Sequence, residues 1–507
     1  MTKPLAYVTL IGMFGSMSKS QYVRGVQCVK SLWLFKHKKS VLSPIDASKQ
    51  ALFDQGHAVG KLAQTIYPNG KEIAYDTKPF SRKFSLTWDY INSGEHTIYE
   101  ATFQANQMMC MVDILHKGRD GWELIEVKSS TSEKDSILQD LAVQYYIVTA
   151  SGLPITKVKL MYINNQYMRQ GKLDIQQLFV ISDVTEKVLV LQDQVMKNER
   201  KFKEVIKENK EPEIEIGPHC DDPYECDCKA YCWQNIPKNS IFDLVGFKYE
   251  EKFKLYYQGV VKITDIPEDY DLGEKERLQI QGLKNNASQL KQSQLKRFLE
   301  DLYYPLCFFD FESFQSAIPP FRETKPFQQI PFQYSLHILN SPFDVISHQE
   351  YIEDKGKDPR ETLIKKLLKD IPEHACILVY NAQFEQQIIK ELARVFPQYG
   401  KDLMIRHDNM MDLMIPFKEK WVYTPEMEGR YSIKKVLPAL VPELSYDGLD
   451  INNGQAAALS RNILVTTTDK HQKSAIRQNL LDYCKLDTYA MVKLLEKLKT
   501  ISQEGLS

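Results

Sequence analysis

Three short segments, far apart along the chain, constrain its fold more than anything else in the sequence. LCFFDFESF carries Asp310 and Glu312 in a D-x-E spacing, ILVYNAQFE ends in Glu385, and LLDYCKLDTYAM sets Asp487 four residues after Tyr483. A strand turns alternate residues to one face, so Asp310 and Glu312 project together. A helix brings residues i and i+4 to one side, so Tyr483 and Asp487 also share a face. A fold that gathers the three segments assembles four carboxylates, enough to hold two divalent cations for phosphodiester hydrolysis. In that arrangement Asp310 bridges the cations, and Glu312 contacts one of them and the attacking water. Glu385 adds a third carboxylate from the start of a helix, Asp487 completes the cage, and the Tyr483 hydroxyl positions the water. Asp412, in MMDLMIPF, reads as a helix cap.

At 507 residues the chain exceeds one hydrophobic core, so two or three domains are expected. The pattern over residues 1–235 is strands, helix and strand, that over 236–297 is polar and helical, and a second α/β pattern fills 298–507. The fold class is therefore α/β in both main domains, joined by a helical connector. TIYEATF, MMCMVDILHK, WELIEVKSS and ITKVKLMYI read as strands. SEKDSILQDLAVQYYIVTASG reads as a helix stopped at Gly152, and VTEKVLVLQDQVMKNERKFKEVIKENK as one long amphipathic helix. A net charge of −1 gives no global basic field, so nucleic-acid binding would rest on local patches. No apolar run is long enough to span a bilayer. LAYVTLIGMFG, near the start, reads as a strand or extension and not as a secretion signal, and a cytoplasmic location is expected.

The N-terminal half offers a second carboxylate set. Asp113 ends CMVD, and Glu126 and Lys128 share a strand face in IEVK. Two carboxylates and a backbone carbonyl suit Mg2+, a hard cation that keeps several waters. The lysine can orient the attacking water and stabilise charge on a phosphate. Gln144 and Tyr145, on the following helix, are placed to steady water or substrate. Of nine cysteines, Cys110, Cys307, Cys376 and Cys484 are scattered and read as ordinary buried thiols. Cys220, Cys226, Cys228 and Cys232 crowd into PHCDDPYECDCKAYCW, which favours Zn2+ or an iron–sulfur centre without deciding between them.

VDILHKGRDGWELIEVKSS with the downstream LAVQYY resembles the PD-(D/E)XK nuclease superfamily, in the branch related to the RecB nuclease. The resemblance implies a restriction-endonuclease-like core whose site comprises Asp113, Glu126, Lys128 and Gln144, with Asp113 and Glu126 on the metal. Glu100, in TIYEATF, matches a frequent acidic position before the Asp strand. Many relatives carry a metal-binding histidine in an earlier helix, but His57 is out of register and reads as a surface residue. The opening SKSQYVRGVQC is similar to that of RecB-like nucleases holding a 4Fe-4S cluster with one cysteine before the core and three after it. This resemblance implies Cys28, Cys220, Cys226 and Cys232 as ligands, with Cys228 as an alternate. From Tyr304 to Leu498 the chain resembles the tyrosine subtype of the DEDD exonucleases, which have an RNase H-like fold. The departure is Glu385, where that family usually has Asp. Together the resemblances imply a Mg2+- or Mn2+-dependent nuclease acting on DNA, with 3′ to 5′ exonuclease activity in the C-terminal domain, serving repair or defence. The alternatives are an RNA-processing nuclease, or a nucleic-acid-binding assembly factor with one or both sites inactive.

Overall fold

Apolar runs of the N-terminal half become a seven-stranded sheet in the computed structural model, which describes residues 16–74 and 79–506. LAYVTLIGMFG lies outside the described residues. The short pieces Met17–Ser18 (β1) and Lys71–Glu72 (β2) join the long strands Thr97–Ala105 (β3), Met108–Lys117 (β4), Trp122–Lys128 (β5), Ile155–Ile163 (β6) and Phe179–Asp183 (β7). Their order is β2-β3-β4-β5-β6-β7, with β1 paired to β4. A tight turn joins β3 to β4 through Asn106 and Gln107, both at positive φ, the geometry that matches hairpin twist. β5 and β6 are parallel, and the helix Asp135–Ala150 makes the crossover between them. That helix buries Ile137, Leu141, Val143, Ile147 and Val148 against Val112, Leu124 and Leu160 of the sheet. The stretch expected as one long helix is two, Thr185–Val190 and Gln192–Lys207, broken at Leu191.

By contacts the chain divides into two units, residues 1–235 with 317–326, and 236–316 with 327–507. Residues 236–297, expected as a connector, carry the helices Tyr249–Tyr257, Glu274–Asn285 and Gln292–Glu300 and cluster with the second unit. They have a small core of their own in Ile241, Leu244, Leu255, Ile263 and Ile266. Gln289–Leu290 (β8) pairs antiparallel with Val422–Tyr423, the last strand among the described residues.

The main sheet of the second unit is built from Leu306–Phe314 (β9), Ile330–Leu339 (β10), Ser347–Ile352 (β11), Cys376–Val379 (β12) and Met410–Asp412 (β13). Its order is β11-β10-β9-β12-β13. β11, β10 and β9 are antiparallel in succession, and β9, β12 and β13 are parallel. The helices Arg360–Asp370 and Ala382–Val395 bring Leu363, Leu367, Ile388 and Ile389 against Phe309, Phe311, Tyr334 and Leu336. The 35-residue C-terminal helix Lys470–Glu504 packs on β9 and β10, and Asp469 caps its N-terminus by accepting from His471 N. A sheet covered on both faces explains why β10 is almost wholly buried even though Gln333, Ser335 and His337 alternate with apolar residues along it. Among the described residues no helix is long and apolar enough to cross a membrane.

Candidate functional site

β9 is apolar toward one helical layer and acidic toward the other. Phe309 and Phe311 enter the core, while Asp310 and Glu312 occupy the alternate positions. The β9–β10 register sets Gln333 opposite Glu312 and Ser335 opposite Asp310. Both neighbours are tied to the C-terminal helix. Gln333 Nε2 donates to the Leu480 carbonyl at 2.7 Å, and Ser335 Oγ lies 2.7 Å from Thr488 Oγ1. His337, next along β10, holds the same Thr488 hydroxyl through Nδ1 at 2.8 Å. This polar row fixes the helix so that Tyr483, Cys484 and Asp487 are buried beside the β9 carboxylates. Ligand atoms of Asp310, Glu312 and Cys484 all lie within 4.8 Å of one another. Cys484, read from sequence as an ordinary thiol, is 3.7 Å from Asp310 Oδ2 through its sulfur.

Glu385 arrives by a different route. After β12 the chain turns through Asn381, at φ +79°, a left-handed conformation that Asn tolerates better than most residues. Asp412 Oδ1 accepts from Asn381 N at 3.0 Å and Met414 N at 2.9 Å. Asp412 therefore braces this turn from the end of β13, and the expectation of a helix cap is corrected. The turn leaves Glu385 in the first turn of its helix, 2% exposed, with Oε2 unpartnered among the described groups.

The charge balance at this centre is one-sided. Burial, and then the neighbouring carboxylates, push Asp310, Glu312 and Glu385 well above the usual carboxylate range. Asp487 rises only to about 6, because burial is opposed by a hydrogen bond from Tyr446 and by the Lys434 charge. Tyr446 Oη donates to Asp487 Oδ1 at 2.6 Å. Burial and Asp487 raise the Tyr483 phenol, keeping it protonated. Asp310, Glu312, Tyr483, Asp487 and Lys434 line a cleft of about 540 Å3. Asp310, Glu312 and Asp487 share the cleft with one lysine, and Glu385 is buried near Asp310 without lining it; together they form a set of hard oxygen donors short of positive charge, which fits divalent cations. Tyr446 and Lys434 were not foreseen, since nothing in the spacing of YSIKKVLPALVPELSYDG relates them to the acidic motifs.

In the first unit, strand register builds a row of acids. Tyr99 pairs with Ile114 and Ala101 with Val112, which sets Glu100 opposite Asp113. Ile114 pairs with Ile125, which carries Asp113 on to face Glu126. Asp113 Oδ2 accepts from Val127 N at 2.7 Å. Glu126 Oε1 takes Lys128 Nζ at 2.5 Å and Lys19 Nζ at 2.9 Å, and Oε2 takes Gln144 Nε2 at 2.8 Å. Lys128 also reaches Asp140 Oδ2 at 2.7 Å. The four predicted residues thus meet, joined by Lys19 and Asp140, which the sequence reading missed. Tyr145 does not join them; it packs on the core. His57 is exposed on the helix Ala47–Gln64, as expected of a surface residue. Burial opposes the Glu126 charge, but Lys128 and Lys19 hold its carboxyl well below the usual range. Burial and Glu126 raise Asp113 to about 8, and the same causes raise Glu100 to about 7. Glu100, Asp113, Glu126 and Asp140 outnumber Lys19 and Lys128, so this donor set also fits a hard cation.

Cys28, Cys220, Cys226, Cys228 and Cys232 line a single small cavity, although Cys28 is far from the others in sequence. The Cys28 thiol is raised by burial and senses Cys226 and Cys220, and Cys232 senses Cys220, Cys226 and Cys28. Cys228 lines the same cavity beside Cys226, with Ser31 Oγ 3.6 Å from its sulfur, and pulls Cys226 down by hydrogen bonding. Arg24 clamps Asp227 with two bonds of 2.5 and 2.7 Å, and Gln27 Nε2 donates to the His219 and Tyr224 carbonyls. A part-buried cage of thiols with one member already lowered fits a thiolate-ligated metal centre.

Residues 307–432 match a domain of unknown function, DUF2779. The match includes Asp310, Glu312 and Glu385 and ends before Lys434, Tyr446, Tyr483 and Asp487. An uncharacterised protein of Ureaplasma parvum is 28% identical over 247 residues, 44% of this chain and 35% of that protein. An uncharacterised protein of Mycoplasma genitalium is 27% identical over 217 residues, 37% of this chain and 31% of that protein. A homologue of the latter in Mycoplasma pneumoniae is 26% identical over 205 residues, with the same two shares. The chain thus spans about a third of the length of these curated relatives.

Proposed function

We propose that this chain is a metal-dependent nuclease acting on DNA, and that its C-terminal unit removes nucleotides from 3′ ends. The reading includes an RNase H-like fold of the DEDD tyrosine subtype for that unit. It includes a PD-(D/E)XK core with a 4Fe-4S cluster for the first unit, in a cytoplasmic protein of repair or defence. The observation that carries it is the convergence of Asp310, Glu312, Glu385 and Asp487, from a strand and two helices, beside a cleft shared with Tyr483. Asp310, Glu312, Glu385 and Asp487 would hold the cations of that unit, and Asp113 and Glu126 the cation of the other. Divalent cations there would supply Lewis-acid polarisation of a phosphodiester and a water acidic enough to attack. Tyr483 keeps its proton and can orient that water. Lys128 can stabilise charge on a phosphate. Cys28, Cys220, Cys226 and Cys232 would hold the cluster, whose role is to tie the start of the first unit to its end.

The test is a time course on 5′-labelled single-stranded DNA and RNA of one sequence, with Mg2+ or Mn2+, in protein carrying Lys128→Ala. A ladder shortening from the 3′ end of DNA is expected. Asp310→Ala or Asp487→Ala should eliminate it. Tyr483→Phe should slow it while leaving the metal ligands in place, and Glu385→Asp should preserve it. Unchanged trimming by the Asp310 and Asp487 variants would make these carboxylates structural. Faster trimming of RNA would move the substrate to the RNA-processing alternative.

A further inference from the structure

Lys434 is the single basic side chain among the described residues lining the cleft, where Asp310, Glu312 and Asp487 also stand. Its ammonium is positioned by several groups. It donates to the Asn452 carbonyl, lies 3.5 Å from Tyr483 Oη, and sits 5.3 Å from the ring centres of both Tyr446 and Tyr483. Two aromatic faces favour a cation between them and fix its place without neutralising it. An ammonium has three protons and no acceptor, so these contacts leave donor capacity for a ligand.

Lys434 also lines a second cavity of about 470 Å3, whose walls include Ser445, Tyr446, Asn452 and Asn453. It therefore stands between two spaces. The acidic one holds the residues suited to cations, and the other presents hydroxyl and amide groups suited to hydrogen bonding, together with the Asp447 carboxylate. Lys434 and Ile433 open the helix Ile433–Leu440, so the positive end of that helix adds to the same field. A ligand with one anionic group and polar parts to either side matches this layout. A phosphodiester flanked by two nucleosides is such a ligand.

We infer that Lys434 is the phosphate-binding cation of the C-terminal cleft, contacting the phosphate that joins the 3′-terminal nucleotide to its neighbour, with the 470 Å3 cavity taking the adjoining nucleoside. The inference rests on the nuclease reading for its substrate class, but its test does not require cleavage. Binding of thymidine 5′-monophosphate and of thymidine is measured by calorimetry in Ca2+, on the full chain and on Lys434→Met and Lys434→Arg. Nucleotide affinity should fall about tenfold or more in Lys434→Met, as expected for a lost charge-assisted bond. It should be largely kept in Lys434→Arg, while thymidine affinity stays unchanged in both variants. Equal nucleotide affinity in wild type and Lys434→Met overturns the inference, as does no nucleotide binding to the wild type. A parallel loss of thymidine affinity also overturns it, because Lys434 would then shape the cleft without meeting phosphate. Failure of the nuclease reading gives a different pattern, in which the wild type trims no DNA yet binds nucleotide in a Lys434-dependent way.

Discussion

Tyr446→Phe isolates one hydrogen bond of the acidic centre. The phenol donates to Asp487 Oδ1 at 2.6 Å, and the tyrosine is 9% exposed. Burial raises the Asp487 carboxyl to about 6, with this bond the first of the effects opposing burial. A buried hydrogen bond to a charged group is worth about 1.5–3 kcal/mol, or roughly one to two pH units of carboxyl pKa. Removing it should carry Asp487 from about 6 to roughly 7.5. A metal ion must then displace a proton that the wild type has mostly lost at neutrality. The deprotonated fraction at pH 7 falls from roughly 0.9 to 0.25, so Mn2+ should bind about fourfold more weakly. At pH 6 the ratio grows to roughly fifteenfold, and by pH 9 it closes to about one. Mn2+ titration of both proteins by calorimetry or electron paramagnetic resonance from pH 6 to 9 reads this directly. A constant ratio across the range would refute the reasoning, because the bond would then shape the site without setting the Asp487 proton.

Protein prepared without oxygen should be brown and contain iron and sulfide, and Cys28→Ser or Cys226→Ser should lose both while Cys228→Ser keeps them. Stoichiometric zinc without iron, measured by metal analysis, would exclude the cluster. In protein carrying Asp310→Ala, Lys128→Ala should abolish the remaining cleavage with little loss of fold, because Lys19 still pairs with Glu126 at 2.9 Å. Full cleavage of single-stranded DNA by that double variant would remove Lys128 from the site.

Apolar, β-prone runs made β3, β4, β5 and β9 legible as strands, and the period of two told which of their side chains share a face. The helical i, i+4 relation of Tyr483 and Asp487 was legible for the same reason. The convergence of Cys28 with the later cysteines came through resemblance, since no spacing rule reaches across most of a domain. Lys19, Asp140, Lys434 and Tyr446 enter their sites from segments whose local sequence serves another purpose, so only tertiary packing identifies them. Cys484 was passed over because a single buried thiol usually carries no message. The role of Asp412 was misread because a carboxylate bracing two backbone amides across a strand end looks, in one dimension, like one capping a helix. The break at Leu191 was hidden because both short helices keep apolar residues on the same stripe, with Val188, Val195 and Phe202 buried in turn.

The helix Lys19–Gln27 has a consequence for how the first unit comes apart. Its first residue grips Glu126 and Asp140. Arg24, farther along, holds Asp227, and Gln27 holds the carbonyls of His219 and Tyr224. A leading segment held this way does not fray independently. Residues 19–27 and 218–232 should therefore open as one unit, their amides exchanging with solvent together and at similar cost in a hydrogen-exchange measurement. Cutting the chain after Lys207 would therefore do more than shorten it. It would remove the partners of Arg24 and Gln27 and leave that helix held only at its Lys19 end.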